Sequence, residues 1–308
     1  MQIIKGTTKW KLQERSAVAI GKFDGIHRGH EKLLSHIVKQ KEEGRIAVVF
    51  TFDPPAFVFF GKAGEKELTT LSEKRKYFEA LGIDVLIEFP LNRETAAISA
   101  EAFVKEILVE QMNAAYIAAG SDLSFGHKGS GNSALLKALA KQFDYEVEII
   151  DKIYFGKREI SSTYVREEVE KGNMETAERL LGRPYSIMGT VEEGKKLGRK
   201  LGMPTVNIYP QKEKLLPKMG VYYSVVSCEG VRYPAITNIG RKPTVNDTEA
   251  VNVESYLYRF DGNLYGKEIV VELLSFKRPE QKFDNVEQLK AQMEEDIRDG
   301  SVFHGILV

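Results

Sequence analysis

The chain has 308 residues, 44 Lys plus Arg against 44 Asp plus Glu, 43% apolar residues and a single cysteine, Cys228. Zero net charge argues against a nucleic-acid binder that works by bulk electrostatics. One thiol excludes an internal disulfide framework, and the length suffices for two domains. Residues 1–6 lack the apolar core of a signal peptide and no run approaches a membrane span, which predicts a soluble cytoplasmic protein.

Short apolar runs at Ser16–Ile20, Ile46–Thr51, Val85–Glu88, Ala115–Ala119 and Tyr145–Ile150 read as strands. Periodic segments at Glu31–Glu43, Ser72–Leu81, Ala100–Glu110 and Ser133–Gln142 alternate with them. This alternation predicts βαβ units and a parallel sheet covered on both faces, with ligands outside the carboxyl ends of the strands. The first such end carries Gly21-Lys-Phe-Asp-Gly-Ile-His-Arg-Gly-His30. If the following helix starts near Arg28, His27 and His30 lie at its N-terminus, where orphan N–H groups and the helix dipole favour an anion. Gly21, Phe23, Asp24 and Gly25 form the turn, and the glycines allow a phosphate to come close. Two other readings are a tight turn with surface histidines, and a zinc or iron site built from Asp24, His27 and His30.

A second glycine-rich turn, from Gly120 through Asp122 to Gly131, follows a later strand; its spacing is neither G-x-G-x-x-G nor a Walker A loop. In Ile160-Ser-Ser-Thr-Tyr-Val-Arg166, Ser161 or Ser162 can cap a helix, and Thr163 and Arg166 lie one turn apart, a set suited to a polyphosphate. Two helical stretches then end at Leu180-Leu-Gly-Arg-Pro184.

Beyond Pro184 the character changes. Strand candidates at Tyr185–Val191, Thr205–Ile208, Val221–Cys228, Val231–Asn238, Val251–Tyr258 and Glu268–Phe276 succeed one another without helices. They predict a small antiparallel six-stranded barrel. A terminal helix fits Val286–Arg298, with Asn285 and Gln288 spaced as a capping box. The expected domains are 1–184 and 185–308. Gly189, Gly194, Gly198 and Gly202 space a basic loop containing Arg199 that can wrap phosphates. Thr205 and Asn207, after Pro204, face the same way on a strand and offer hard oxygen ligands suited to Mg²⁺.

These motifs resemble the prokaryotic bifunctional riboflavin kinase/FMN adenylyltransferases, the FAD synthetase family. The first half carries the GxFDGxHxGH signature and Ile-Ser-Ser-Thr-x-x-Arg. The second half carries Gly198-Arg-Lys-Leu-Gly-Met-Pro-Thr-Val-Asn207, close to the family's Gly-Arg-x-Leu-Gly-Phe-Pro-Thr-Ala-Asn. The resemblance implies an N-terminal Rossmann-like nucleotidylyltransferase domain and a C-terminal riboflavin kinase barrel. ATP, riboflavin and FMN are the implied substrates, Mg²⁺ the cofactor, and small molecules the partners, with no nucleic acid, no membrane and self-association left open.

By the same resemblance His27 and His30 hold ATP phosphates and stabilise the transition state, Asp24 organises the turn, Gly120 and Asp122 join the ATP site, and Ser162, Thr163 and Arg166 hold the β/γ end. Glu254 is the implied general base of the kinase. Phe52, Phe125, Asn238 and Arg278 are the implied flavin contacts. Three departures stand out. Thr51-Phe-Asp-Pro-Pro-Ala56 lacks the family's histidine, Leu123-Ser-Phe-Gly126 lacks its arginine, and Tyr256 replaces the histidine two residues beyond Glu254. The alternatives are an enzyme with one impaired activity, or a flavin- or nucleotide-binding regulator without turnover.

Overall fold

A computed structural model describes residues 1–61, 65–193, 201–243 and 249–306. The chain forms two compact units, Met1–Ser162 and Thr163–Val308.

In the first unit the elements run β1 (Gln2–Lys5), β2 (Ser16–Ile20), α1 (Arg28–Lys39), β3 (Ile46–Asp53), α2 (Ala56–Phe59), α3 (Leu71–Ala80) and β4 (Val85–Pro90). Next come α4 (Ala100–Ala102, continuing in wider π turns over Phe103–Gln111), β5 (Ala114–Gly120), the short pair β6 (Ser124–Phe125) and β7 (Gly131–Asn132), and α5 (Ser133–Phe143). β8 (Glu146–Ile150) and a small hairpin of β9 (Tyr154–Phe155) and β10 (Arg158–Glu159) complete the unit.

Six strands form one sheet in the order β1-β4-β3-β2-β5-β8, every pair parallel. From β2 the chain builds outward through β3 and β4 on one side, and from β5 to β8 on the other. The order therefore reverses between β2 and β5, and a crevice opens at their carboxyl ends. β2 is buried along its whole length. Ala17 and Ala19 join one core layer with Leu34 and Ile37 of α1, while Val18 and Ile20 join the opposite layer with Phe103 and Leu108. That is the period-two pattern of a strand covered on both faces.

β1 is an addition to the elements expected from sequence. It is a mostly exposed edge strand paired with β4, Ile3 beside Leu86.

The second unit contains α6 (Ser162–Lys171, after its first residue) and α7 (Met174–Leu181). Six strands follow: β11 (Tyr185–Glu192), β12 (Thr205–Ile208), β13 (Gly220–Cys228), β14 (Val231–Pro243), β15 (Glu249–Leu257) and β16 (Glu268–Pro279), before α8 (Val286–Phe303). The strands close into an antiparallel barrel, β11-β12-β15-β14-β13-β16. Glu229 and Gly230, at φ 49° and 82°, make the tight turn between β13 and β14, a conformation that two-residue hairpins favour. The helix-to-strand change near Pro184 and the division between compact units at Ser162 differ because α7 packs against β11 and β16. Gly172, at φ +83°, turns the chain before α7, and a Cβ there would meet the barrel side chains Lys218, Tyr222 and Phe276.

α8 starts at the expected N-cap: Asn285 Oδ1 accepts from the Gln288 N–H at 2.9 Å. The returning arm reaches one residue earlier than a capping box, since Gln288 Oε1 accepts from the Asp284 N–H at 3.2 Å. The helix continues past Arg298 because Gly300 lets it lie close on the barrel. A Cβ there would sit 2.6 Å from Ile236 side-chain carbons, and the Tyr258 hydroxyl donates to the Ile297 carbonyl at 2.5 Å. Asp296 is 4% exposed and accepts from Lys277 at 2.8 Å and from the Arg278 Nε at 3.0 Å. Burial pushes the Asp296 carboxyl up, but the hydrogen bonds and charges of Arg278 and Lys277 outweigh it and hold the group below its ordinary value. A carboxyl lowered in the folded state contributes stability above its unfolded pKa and loses it as pH falls through the folded value. The α8 clamp should therefore weaken only in acid, below the ordinary carboxylate range.

Gly300→Val is expected to destabilise the second unit by about 1–3 kcal/mol through overpacking. The readout is a lower urea midpoint, with Val302→Ala, at an 80% exposed position, as the neutral control. Equal midpoints for the two variants would contradict this packing.

Candidate functional site

Gly21 leaves β2 and Gly120 ends β5, so two of the predicted turns emerge from neighbouring strands at the switch point. The Gly21 N–H donates to the Phe50 carbonyl at 3.1 Å, which ties the turn to β3. Phe23, Gly25 and Ile26 all take positive φ, at 48°, 84° and 43°. Such a conformation is costly for Phe and Ile and is retained only where the surroundings fix it. Both side chains are buried at 1% or less. The Asp24 carboxylate accepts from the Thr69 N–H at 3.3 Å, just before α3, whose N-cap Thr70 and Glu73 form a reciprocal capping box. The Asp24 carbonyl accepts from the Ser162 hydroxyl at 2.7 Å. Asp24 thus links the turn to two other segments, and Thr69 is a partner that the sequence reading missed.

His27 is the N-cap of α1, and its Nδ1 accepts from the His30 N–H at 3.4 Å. In the neutral ring this leaves the proton on Nε2, the nitrogen able to donate to a phosphate. The two imidazoles stack with centroids 3.8 Å apart and planes 18° from parallel, and Phe23 lies edge-on to His30 at 5.2 Å. A Cβ on Gly29 would be 3.1 Å from the His27 ring, so glycine there makes room for the stack. Among the described residues no group of three His, Cys, Asp or Glu is placed to hold a metal, so Asp24, His27 and His30 do not form the alternative zinc or iron site.

Asp122 is exposed, pairs with Lys152 at 3.3 Å and lies beside Gly120. Thr163 and Arg166 follow Ser162 on α6, three positions apart. Phe52 lies half-buried at the end of β3, edge-on to Phe50 at 5.4 Å. Phe125 is 4% exposed, packed on Phe103 at 5.3 Å, and Gly131 has no side chain where one would strike its ring. These aromatics form one row on a single face of the sheet.

In the second unit Gly194, Gly198 and Arg199 lie outside the described residues. Gly202, at φ +81°, and Pro204 are exposed and lead into β12. β12 pairs with β15 so that Asn207 faces Glu254 and Thr205 faces Tyr256. The Thr205 hydroxyl donates to Glu254 Oε1 at 2.6 Å, so the proposed ligand and the proposed base are directly joined. Asn238 pairs with Glu254 from the other side. Asn207 is 6% exposed and accepts from Asn252, a residue the sequence reading passed over.

A cavity of about 370 Å³ adjoins this row. It is lined by Pro204, Thr205, Val206, Asn207 and the loop Phe260–Tyr265, and its size suits a small ligand. Arg278 donates through Nε and Nη2 to Asp296 and through Nη1 to the Pro279 carbonyl. Tyr256 lies edge-on to Tyr258 with centroids 5.3 Å apart and packs on the cluster of Val221, Ile236 and Tyr258.

A parallel sheet with stacked histidines at its switch point, followed by a closed barrel that sets Thr and Asn beside Glu, defines a class: a transferase of phosphorus-containing groups built in two parts. The FAD synthetase family matches residues 9–164 and the riboflavin kinase family residues 181–303. The bifunctional riboflavin kinase/FMN adenylyltransferase of Buchnera aphidicola subsp. Schizaphis graminum is 39% identical over 303 residues, covering 96% of this chain and 97% of that protein. The enzyme of the same description from Listeria monocytogenes is 36% identical, covering 96% and 95%. A crystal structure described as a macrolide-efflux protein from Streptococcus pneumoniae superposes with a TM-score of 0.84 at 29% identity, covering 96% and 97%. The chain belongs to the bifunctional riboflavin kinase/FMN adenylyltransferase family. Among the described residues no helix is long and apolar enough to cross a membrane.

Proposed function

We propose that the chain uses ATP twice, phosphorylating riboflavin to FMN in the barrel unit and adenylylating FMN to FAD, with release of pyrophosphate, at the sheet's switch point. The observation that carries this reading is that each compact unit holds its own polar constellation, His27 with His30 in one and Thr205, Asn207 and Glu254 in the other.

In the adenylyl transfer no covalent protein intermediate is needed, so positioning and charge neutralisation do the catalysis. The FMN phosphate oxygen attacks the α-phosphorus of ATP and pyrophosphate leaves. His27 Nε2–H and the His30 ring lie at the N-terminus of α1, where donors meet the developing negative charge. Asp24 holds the turn, and Gly21, Phe23 and Gly25 shape the approach to the phosphates. Gly120 and Asp122 border the same crevice. Ser162, whose hydroxyl donates to the Asp24 carbonyl, borders the same phosphates. Phe52 and Phe125 present the aromatic row to the isoalloxazine.

In the kinase reaction Glu254 accepts the proton of the ribityl 5′-hydroxyl as that oxygen attacks the γ-phosphorus of ATP, whose bond to the β–γ bridging oxygen breaks and releases ADP. The Thr205 hydroxyl donates to Glu254, which orients the carboxylate and turns the Thr205 lone pairs outward. Those lone pairs and the Asn207 carbonyl are hard donors that fit Mg²⁺. When bound, the cation neutralises polyphosphate charge. The resemblance assigns Gly194, Gly198, Arg199, Gly202 and Pro204 to the ATP phosphates, and Asn238 and Arg278 to the flavin. Buried, unpaired Cys228 fits a reducing cytoplasm.

Riboflavin incubated with MgATP and followed by chromatography should show FMN rising and then falling as FAD accumulates. FMN accumulating without FAD would confine the activity to the barrel. Binding of both substrates without any product would favour the non-catalytic regulator.

A further inference from the structure

The roles above leave Asn252 unused. It lies on β15 two residues before Glu254, so the two side chains leave the same face of the strand. It is 1% exposed, and its Nδ2 donates to Asn207 Oδ1 at 2.9 Å. Its own Oδ1 is buried and has no hydrogen-bond partner among the described residues. An orphaned carbonyl at such a depth is costly, and natural proteins keep few of them. Here the cost accompanies one fixed result, the orientation of the Asn207 carboxamide.

We propose that Asn252 is a positioning residue for riboflavin phosphorylation, holding the Asn207 amide oxygen toward the cation that accompanies ATP. The inference rests on the reading of Asn207 as a cation ligand. A carboxamide oxygen has two acceptor sites. One is taken by the Asn252 N–H, and the other is left for the cation. Without that donor the Asn207 amide can turn over and present its NH₂ group, which repels a cation. The two states differ by a terminal rotation that ordinary side-chain torsion allows. Partners that orient a metal ligand typically change metal affinity or activity by about 10–100-fold when removed.

The test uses the full chain in four forms: parent, Asn252→Leu, Asn252→Ala and Asn207→Ala. Leu keeps the branched outline of Asn with added bulk and Ala empties the position, so an effect common to both belongs to the lost amide. ADP affinity is measured by titration calorimetry in the presence of riboflavin, with and without Mg²⁺. The Mg²⁺ dependence of phosphorylation is measured alongside. Both Asn252 variants should lose roughly 10-fold or more of the Mg²⁺-dependent gain in ADP affinity. Their metal-free ADP affinity and their FMN adenylylation should stay at parental values. Half-saturating Mg²⁺ should rise by a similar factor, with turnover recovered at high Mg²⁺.

If Asn207→Ala loses the gain while both Asn252 variants keep it, the positioning role is wrong and the cation reading stands. If Asn207→Ala keeps the gain, the cation reading fails and this inference fails with it. Loss of metal-free ADP affinity in both Asn252 variants also overturns the proposal, because it makes Asn252 a packing residue.

Discussion

Glu254→Gln should lower kcat for riboflavin phosphorylation by about 10²–10⁴, the usual worth of general-base assistance, with little change in flavin or ATP affinity. Gln keeps the volume and still accepts a hydrogen bond from the Thr205 hydroxyl, now 2.6 Å from Glu254 Oε1. It cannot take a proton from the attacking oxygen. FMN adenylylation in the same preparation should continue at the parental rate, which shows that the chain is intact. Thr205→Ala should behave differently. It removes the proposed cation ligand and also the donor to Glu254, so MgATP affinity and turnover should fall together. Near-parental phosphorylation by Glu254→Gln would make this glutamate structural, and stopped-flow or steady-state assays of FMN formation decide the matter.

Much of the fold was legible because the core obeys simple periods. In the first unit the strands read correctly as short, continuous apolar runs, since every residue of β2 faces one of two buried layers. In the second unit Thr205–Ile208 was placed to the residue. What was missed has local causes. β1 has only one partly buried residue, so no alternation marks it, and only pairing with β4 makes it a strand. β14 runs on to Pro243 through polar residues that resemble a loop in sequence. α8 passes Gly300 and Ser301, which look like a helix stop. The helix continues because close packing on Ile236 and Tyr258 outweighs the intrinsic cost of glycine there.

The candidate sites were legible to the extent that residues close in sequence build them. The turn from Gly21 to His30 and the pair Thr205 and Asn207 are local motifs. The partners that hold them come from elsewhere in the chain: Thr69 on Asp24, Ser162 on the Asp24 carbonyl and Asn252 on Asn207. Ser162 stood in a legible motif, though not as a partner of Asp24, and Asn252 left a weaker trace, its two-residue spacing from Glu254 on a predicted strand. Arg278 is likewise anchored by a distant partner, Asp296 on α8, which its motif does not reveal.

Replacing His27 and His30 together with Ala should reduce FAD formation from FMN by about 10²–10³, the usual loss when preorganised donors to a transition state are removed. Riboflavin phosphorylation should be unaffected. The double variant alone mixes two effects, because His27 is also the N-cap of α1. Loss of a cap costs about 1 kcal/mol and could by itself loosen the turn. His27→Asn separates them. Asn is among the best N-cap residues, so it restores the acceptor for the His30 N–H, but it cannot reproduce the Nε2–H donor or the ring stacked on His30 at 3.8 Å. If the imidazole acts on phosphate, His27→Asn should keep the parental unfolding midpoint and still lose most of the adenylyl transfer. If adenylylation returns to the parental rate in His27→Asn, the histidine serves the helix and not the chemistry. Equal loss of both activities in a folded double variant would remove the case for two separate sites.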